Sequence, residues 1–325
     1  MIASIIFVVF IFIFVSVVIF NCLYKRTNSY KNDCFDIESF QGGLTDNISM
    51  VNLGSTYSKF AFGSYDKLFL NAKDLSIQAQ SVDVDYAIVK RYYQHFSEGC
   101  IVVICLAACC MLYEGNDNPL YCKIFKRKEN PKYTLRAKLS SIFPLLLTPK
   151  KIKKIVKKEV KFNTIYDSVA PFMTDELSDK YLKGMADGWK TMFKLDDLKD
   201  PANIDGKNRD AINRNTEILK GILEFCLKNK FRPIIVVPPF SSKLNQYFSH
   251  DFTSEVIDNS VMRACDGKKI PFLNYQWDSE FANREDLFAD QGFRLNMAGS
   301  EYFLRKLSND LLQYNVVVNN STCGR

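Results

Sequence analysis

Residues 2–20 form an unbroken apolar run, nineteen positions with no charge and only two hydroxyl side chains, Ser4 and Ser16. At about 1.5 Å per helical residue such a run reaches roughly 28 Å, close to the hydrocarbon thickness of a bilayer. The chain is therefore read as starting with one transmembrane helix, residues 1–22. A cleaved signal peptide would show a basic start, a shorter apolar core and small residues before the cleavage point. "MIASIIFV" carries no basic side chain, and "VIFNCLYKR" offers no small-residue pattern. Lys25, Arg26 and Lys31 come after the run while no basic side chain precedes it, so the positive-inside rule favours a cytoplasmic placement of the main domain.

The remainder has ordinary globular composition, 47% apolar and 24% charged over 325 residues, enough for a sizeable core. Residues 23–46 are polar and carry turn signals in "NSYKND" and "FQGGLTDN", which reads as a tether. From residue 47, short β-rich apolar runs alternate with helical stretches. The runs are "ISMVNL" (48–53), "KLFLNA" (67–72), "CIVVICLA" (100–107), "PIIVVPPF" (233–240) and "IPFLNYQ" (270–276). "SVDVDYAIVKRYYQHF" and "DAINRNTEILKGILEFCLKN" place apolar residues at helical spacing between them. The pattern predicts an α/β fold, a three-layer αβα domain over residues 47–316 around a roughly five-stranded parallel sheet. A loose, lysine-rich stretch over about 111–210 reads as an insertion, and residues 317–325 as a tail.

The ten cysteines contain no C-x-x-C pair, and the chain has only two histidines, His95 and His250. No metal site is read from them, and no cofactor. The net charge of +7 is concentrated in "PKKIKKIVKKEVKF", residues 149–162, where Ile152, Ile155, Val156 and Val160 recur at helical spacing among seven lysines. A solvated helix face is one reading. The other is a surface for anionic lipid or anionic polymer through Lys153, Lys154, Lys157 and Lys158, next to the apolar "SIFPLLL". No nucleic-acid motif accompanies the patch.

Ligands of parallel α/β sheets bind outside the carboxyl ends of the strands. Four loops meet that rule: "GSTYS", "AACCMLYEGND", "PPFSS" and "FADQGFRLNMAG". In the first, Gly54 ends an apolar run and Ser55 comes directly after it. A serine there either caps the next helix or presents a nucleophile at the sheet rim.

A strand ending in "NLGST", a late strand followed by Pro238 and Pro239, and a closing segment with Phe288, Asp290, Leu295, Asn296, Gly299 and Phe303 together resemble the SGNH hydrolase superfamily. The resemblance covers roughly residues 47–310, and the order of its motifs fits. The nearest branch is that of membrane-anchored proteins related to envelope polysaccharide O-acyltransferases and to proteins that transfer D-alanine to lipoteichoic acid. The resemblance implies a flavodoxin-like sheet, Ser55 as nucleophile and Asp290 as the acid of the triad. The family's histidine is not matched: aligned on "LNxxG" its place is taken by Arg294, and aligned on Asp290 by Phe293. Arginine stays protonated and cannot take a proton at neutral pH. His250, shortly after the fourth strand, is the substitute the sequence offers, while His95 reads as structural. Oxyanion or substrate contacts fall on Gly54, on Asn71 and Ser76 where the family has a glycine, on Asn116 in "EGND", about seven residues late, and on Asn296.

The function so implied is acyl transfer or deacylation on cell-envelope polysaccharide by a single-pass membrane protein with an extracytoplasmic domain. Its partners would be the membrane, an anionic or acylated glycopolymer and a membrane-embedded acyl-donor protein. A non-catalytic binding or scaffold module of an envelope-synthesis complex is the alternative that the missing histidine favours. The positive-inside count leaves a third, a cytoplasm-facing adaptor.

Overall fold

The structure, a computed structural model, describes residues 2–34, 37, 40, 44–107, 109–156 and 175–314. The chain divides into two compact units, one of residues 1–42 with 116–164 and the other of residues 43–115 with 165–325.

The second unit is built on five strands: β1 (Ile48–Leu53), β2 (Ala72–Asp74), β3 (Phe96–Cys105), β4 (Arg232–Val237) and β5 (Phe272–Asn274). They are all parallel, in the order β2-β1-β3-β4-β5. This is a doubly wound order, in which the direction of winding reverses between β1 and β3. Met50, Ile101, Val103, Cys105, Ile234 and Val236 share one buried face of the sheet. That face packs against Phe62 beside α3 (Thr56–Ala61), against Tyr65, and against Phe303, Leu304, Leu307 and Leu311 of the closing helix. The alternate positions Val51, Leu53, Val102, Ile104, Ile235 and Val237 are buried too. A parallel sheet requires cover on both faces, and its strands accordingly read as continuous apolar runs. The longer helices of this unit are α4 (Val82–Tyr92), α6 (Asp175–Phe193), α7 (Gly206–Lys228), α8 (Asn259–Cys265) and α9 (Met297–Leu312). Of these, α7 packs against α4, α8 and β4.

The second strand corrects the sequence reading. Residues 67–72 are not a strand: Tyr65–Leu68 is one helical turn, and β2 begins only at Ala72. Phe69 closes that turn through its N–H to the Tyr65 carbonyl at 2.9 Å, and its ring meets Tyr65 edge-on. A three-residue apolar run fits either period, and here Leu68 ends a helical turn and Phe69, in extended backbone, follows it into the core under α9.

The first unit holds α1 (Ile2–Lys25), α2 (Asn28–Cys34) and α5 (Leu135–Ile142), with one-turn helices at Tyr121–Ile124, Pro144–Leu147 and Lys153–Val156. α1 is long and apolar enough to cross a membrane. Residues 23–46, expected as a tether, are in part folded: α1 continues to Lys25, Tyr24 is buried, and α2 comes next. The Thr27 hydroxyl accepts the Tyr30 N–H at 3.2 Å, and Lys123 donates to the Tyr30 hydroxyl at 2.6 Å and reaches the Cys34 thiol at 3.2 Å. The expected insertion at 111–210 is likewise divided, since residues 116–164 belong to this unit and those from 165 onward to the sheet unit. Pro149–Ile152 is a 3₁₀ turn and Lys153–Val156 one α-turn, so the lysine-rich stretch is no continuous helix over its described part. Lys157 and Lys158 lie outside the described residues.

Candidate functional site

The winding reversal puts the ends of β1 and β3 side by side, and the chain there is shaped by contact distance. Gly54 has φ +118°, and a Cβ on it would stand 2.8 Å from the Cys105 carbonyl oxygen and 2.9 Å from the Cys105 Cβ. Only glycine serves both demands. Its N–H donates to Asp85 Oδ1 of α4 at 2.9 Å, and Gln80 Nε2 donates to the same oxygen. Burial lifts the Asp85 carboxyl to about 7, against the pull of the Gln80 and Gly54 bonds.

Ser55 stands in the N-cap position of α3, yet its side chain makes no capping bond. The serine with the structural role is Ser58, whose hydroxyl donates to the Leu53 carbonyl at 2.8 Å and accepts from Asn52 Nδ2 at 3.0 Å. Among the described residues the Ser55 hydroxyl has no hydrogen-bond partner. Asn52 also donates to Asp74 Oδ1 at 2.8 Å, and Asp74 takes both the N–H and the hydroxyl of Ser76. Ser76 thus stands at the same strand edge as Gly54, whose carbonyl accepts the Ile77 N–H at 3.3 Å, with its own polar groups engaged.

A cleft of about 200 Å³ opens on Ser55. Its walls are Thr56, Tyr57, Ala79, Gln80, Ala107, Cys109, Cys110 and Tyr113, closed by Trp189, Met192 and Phe193 of α6 and by Phe240 and Phe293. Trp189 and Phe240 each flank Phe293, with ring centroids 6.3 and 6.1 Å away. Gln80 is buried, and among the described residues its Oε1 has no hydrogen-bond partner. Burial raises the Cys109 and Cys110 thiols far above their ordinary range, so they line the cleft as neutral, unreactive groups.

The closing loop reaches the cleft through Phe293. Asp290, next to it, is buried, and its Oδ1 accepts the N–H groups of Gly292, Phe293 and Arg294 at 2.9, 3.1 and 3.0 Å. Its Oδ2 faces Arg294 Nε at 3.6 Å, an ion pair longer than a hydrogen bond. Burial raises the Asp290 carboxyl while those N–H groups and the guanidinium draw it back. The carboxylate therefore organises its own loop and pairs with an arginine where the family's aspartate would orient an imidazole.

The remaining sequence candidates separate. Asn296 caps α9: its Oδ1 accepts the Gly299 N–H at 2.9 Å, and its amide donates to the Asp286 carbonyl at 2.6 Å. Gly299 is held there because a Cβ would come within 2.1 Å of the Leu287 carbonyl oxygen. The "LNxxG" letters are thus spent on a helix start and a close backbone approach. Asn71, at φ +54°, precedes β2 instead of coming after it. Its carbonyl accepts the Ser49 N–H at the amino end of β1, so it lies at the edge away from Ser55. Asn116 belongs to the other unit. His250 is exposed and stacks on Trp277 at 4.0 Å, and neither lines the cleft. His95 is half-buried and pairs with Asp46 at 2.9 Å. Lys153 and Lys154 are exposed in the first unit. Among the described residues, no three His, Cys, Asp or Glu side chains converge as a metal site.

The sequence reading missed Asp85, Gln80 and all of α6. Asp85 carried a signal, since it sits with Val82 and Val89 at helical spacing on the buried face of α4, where a charge needs a reason. Trp189, one of two tryptophans in the chain, was a weaker one.

Compared with known proteins, the chain matches no family model and no curated sequence.

Proposed function

We propose that the chain is a membrane-anchored protein whose sheet unit has the three-layer αβα arrangement of SGNH hydrolases and handles acyl groups of cell-envelope polysaccharide, with Ser55 as acyl acceptor. The observation that carries this reading is the Ser55 hydroxyl, unpartnered at the winding reversal and facing an apolar cleft. An apolar cavity of about 150 Å³ suffices for benzene. A cleft of 200 Å³ walled by Trp189, Phe193, Phe240 and Phe293 therefore suits a short acyl chain and not a sugar ring with its hydroxyls. In the transfer step Ser55 Oγ would attack the acyl carbonyl carbon, the bond to the donor alcohol would break, and the serine proton would leave with that alcohol. With no imidazole in the cleft wall, the proton moves through water, and turnover falls orders of magnitude below that of a complete triad. The reading requires the sheet unit to face the envelope, opposite to the side that the charges after α1 favour.

The Asp290–Arg294 pair favours a second reading, a non-catalytic module that binds the acylated polymer in the same cleft. Short-chain p-nitrophenyl esters separate the two. Acyl transfer expects a slow, single-turnover release of nitrophenol together with an acyl mass increment on Ser55, both lost in Ser55→Ala. Release that is equal in the two proteins, with no increment on Ser55, rejects the enzyme reading and leaves the module.

A further inference from the structure

The first unit carries an apolar surface that the cleft does not account for. Leu135, Leu139 and Ile142 stand at i, i+4 and i+7 on α5 and are all exposed, Leu135 at 68%. Leu146 and Ile152 continue the exposed apolar surface along the chain, Leu146 at 48%. On a water-facing helix such a stripe would be turned inward. Here α5 packs on the Pro144–Leu147 turn, which in turn packs on α1. The attachment is specific, because Asn21 Oδ1 accepts the Leu145 N–H at 2.9 Å while its amide donates to the Val17 carbonyl.

That attachment fixes a depth. Phe12, Val17 and Phe20 of α1 share a groove of about 410 Å³ with Leu145, Leu146 and Ile152. Phe12 lies nine residues before Asn21, about 13 Å along the helix, which is close to one leaflet of hydrocarbon. If α1 spans a bilayer, the groove is immersed in that leaflet, and lipid chains are the only solvent there. The charge pattern agrees: residues 131–156 contain no Asp or Glu, while Arg136, Lys138, Lys150, Lys151, Lys153 and Lys154 punctuate the apolar positions.

We infer that residues 135–156 form a collar seated in the leaflet at the carboxyl end of α1, with the groove holding an acyl chain of an anionic phospholipid and the lysines its head group. Basic side chains near a membrane surface are attracted to anionic lipids, and the apolar stripe supplies the inserted area. The collar gives the protein a second membrane contact, independent of Ser55. It stands whether or not the cleft handles acyl groups.

The test uses the full chain in nanodiscs of phosphatidylcholine, alone or with phosphatidylglycerol, each doped with the same lipid bearing a photoreactive group midway along its acyl chain. Expected are adducts on peptides covering residues 139–152 as well as on α1, with a several-fold higher yield on 139–152 in phosphatidylglycerol. The combined Lys150→Gln, Lys153→Gln and Lys154→Gln variant, altered only at exposed positions, should lose that increment and keep the basal adducts. Adducts confined to α1 would overturn the collar, and equal yields in the two lipids would overturn the anionic head group.

Discussion

The cleft of the sheet unit and the groove beside α1 are both lined by apolar side chains, but they are framed in opposite ways. The cleft is set by backbone: Gly54 against Cys105, with its N–H held on a buried carboxylate. The groove is set by side chains of α1 and of the short turns at Pro144–Leu147 and Pro149–Ile152, pinned by one asparagine and open to its surroundings. A rigid frame selects a group of defined size, whereas a loosely framed apolar surface suits a fluid environment. The contrast makes the two regions unequal under substitution.

The largest effect is expected at Gly299→Ala. The new Cβ would need space that the Leu287 carbonyl occupies, so unfolding of the sheet unit should become easier by about 3 kcal/mol or more, at the upper end of overpacking costs. Leu139→Ala, on the exposed stripe of α5, should stay within about 0.5 kcal/mol in the same chemical-denaturation measurement. Comparable losses at the two positions would dissolve the contrast.

Gly54→Ala comes next, at about 2–3 kcal/mol, since left-handed backbone strain adds to the close approach of β3. It should also distort the cleft, which the ester assay reads as loss of Ser55-dependent release.

Asp85 sharpens the comparison through pH. Its folded-state carboxyl titrates near 7, above its unfolded value near 4. Between those values the folded protein holds a proton that the unfolded chain has lost, so stability contributed by Asp85 is complete below about pH 4, declines as pH rises and levels off above about 7. Asp85→Asn keeps an acceptor for the Gly54 N–H and should flatten this slope in denaturation midpoints measured from pH 5 to 8. An unchanged slope would show that the carboxyl is not the titrating group.

Asn21→Ala should have the smallest effect of the four glycine, aspartate and asparagine changes, about 1–2 kcal/mol, because one buried N–H loses its acceptor. Hydrogen exchange at the Leu145 amide should accelerate while amides of β3 and β4 keep their protection. Removal of residues 1–24 should be more damaging than removal of a tether, because Asn21 and Tyr24 are buried parts of the first unit.

Legibility in the sequence tracked the strength of local signal. β1, β3, β4 and β5 were marked by apolar runs that both sheet faces demand, and α7 by a long helical stripe. β2 was placed too early because "KLFL" suits a helical turn as well as a strand. The division into two units was hidden, since the bond that ties Asn21 to Leu145 joins residues 124 positions apart. At the site, Gly54 and Ser55 were visible as an abrupt stop in an apolar run. The roles of Asn296 and Asp290 were not, because a cap, a loop-closing carboxylate and a catalytic residue use the same letters. α6 escaped although Leu182, Ala186, Trp189 and Phe193 recur at helical spacing, because lysines, aspartates and two glycines lie between them and a lysine-rich run precedes them.

A short acyl chain held in the cleft beside Ser55 would stand against Trp189, which reports on it directly. The chain has only two tryptophans, and Trp277 does not line the cleft, so Trp277→Phe isolates the signal. With this protein in nanodiscs free of alkyl detergent, titration with a water-soluble short-chain fatty acid such as hexanoate should give a saturable change in Trp189 emission. Ala79→Phe, which adds a ring to the cleft wall, should abolish it. Emission that stays constant through the titration would contradict the account.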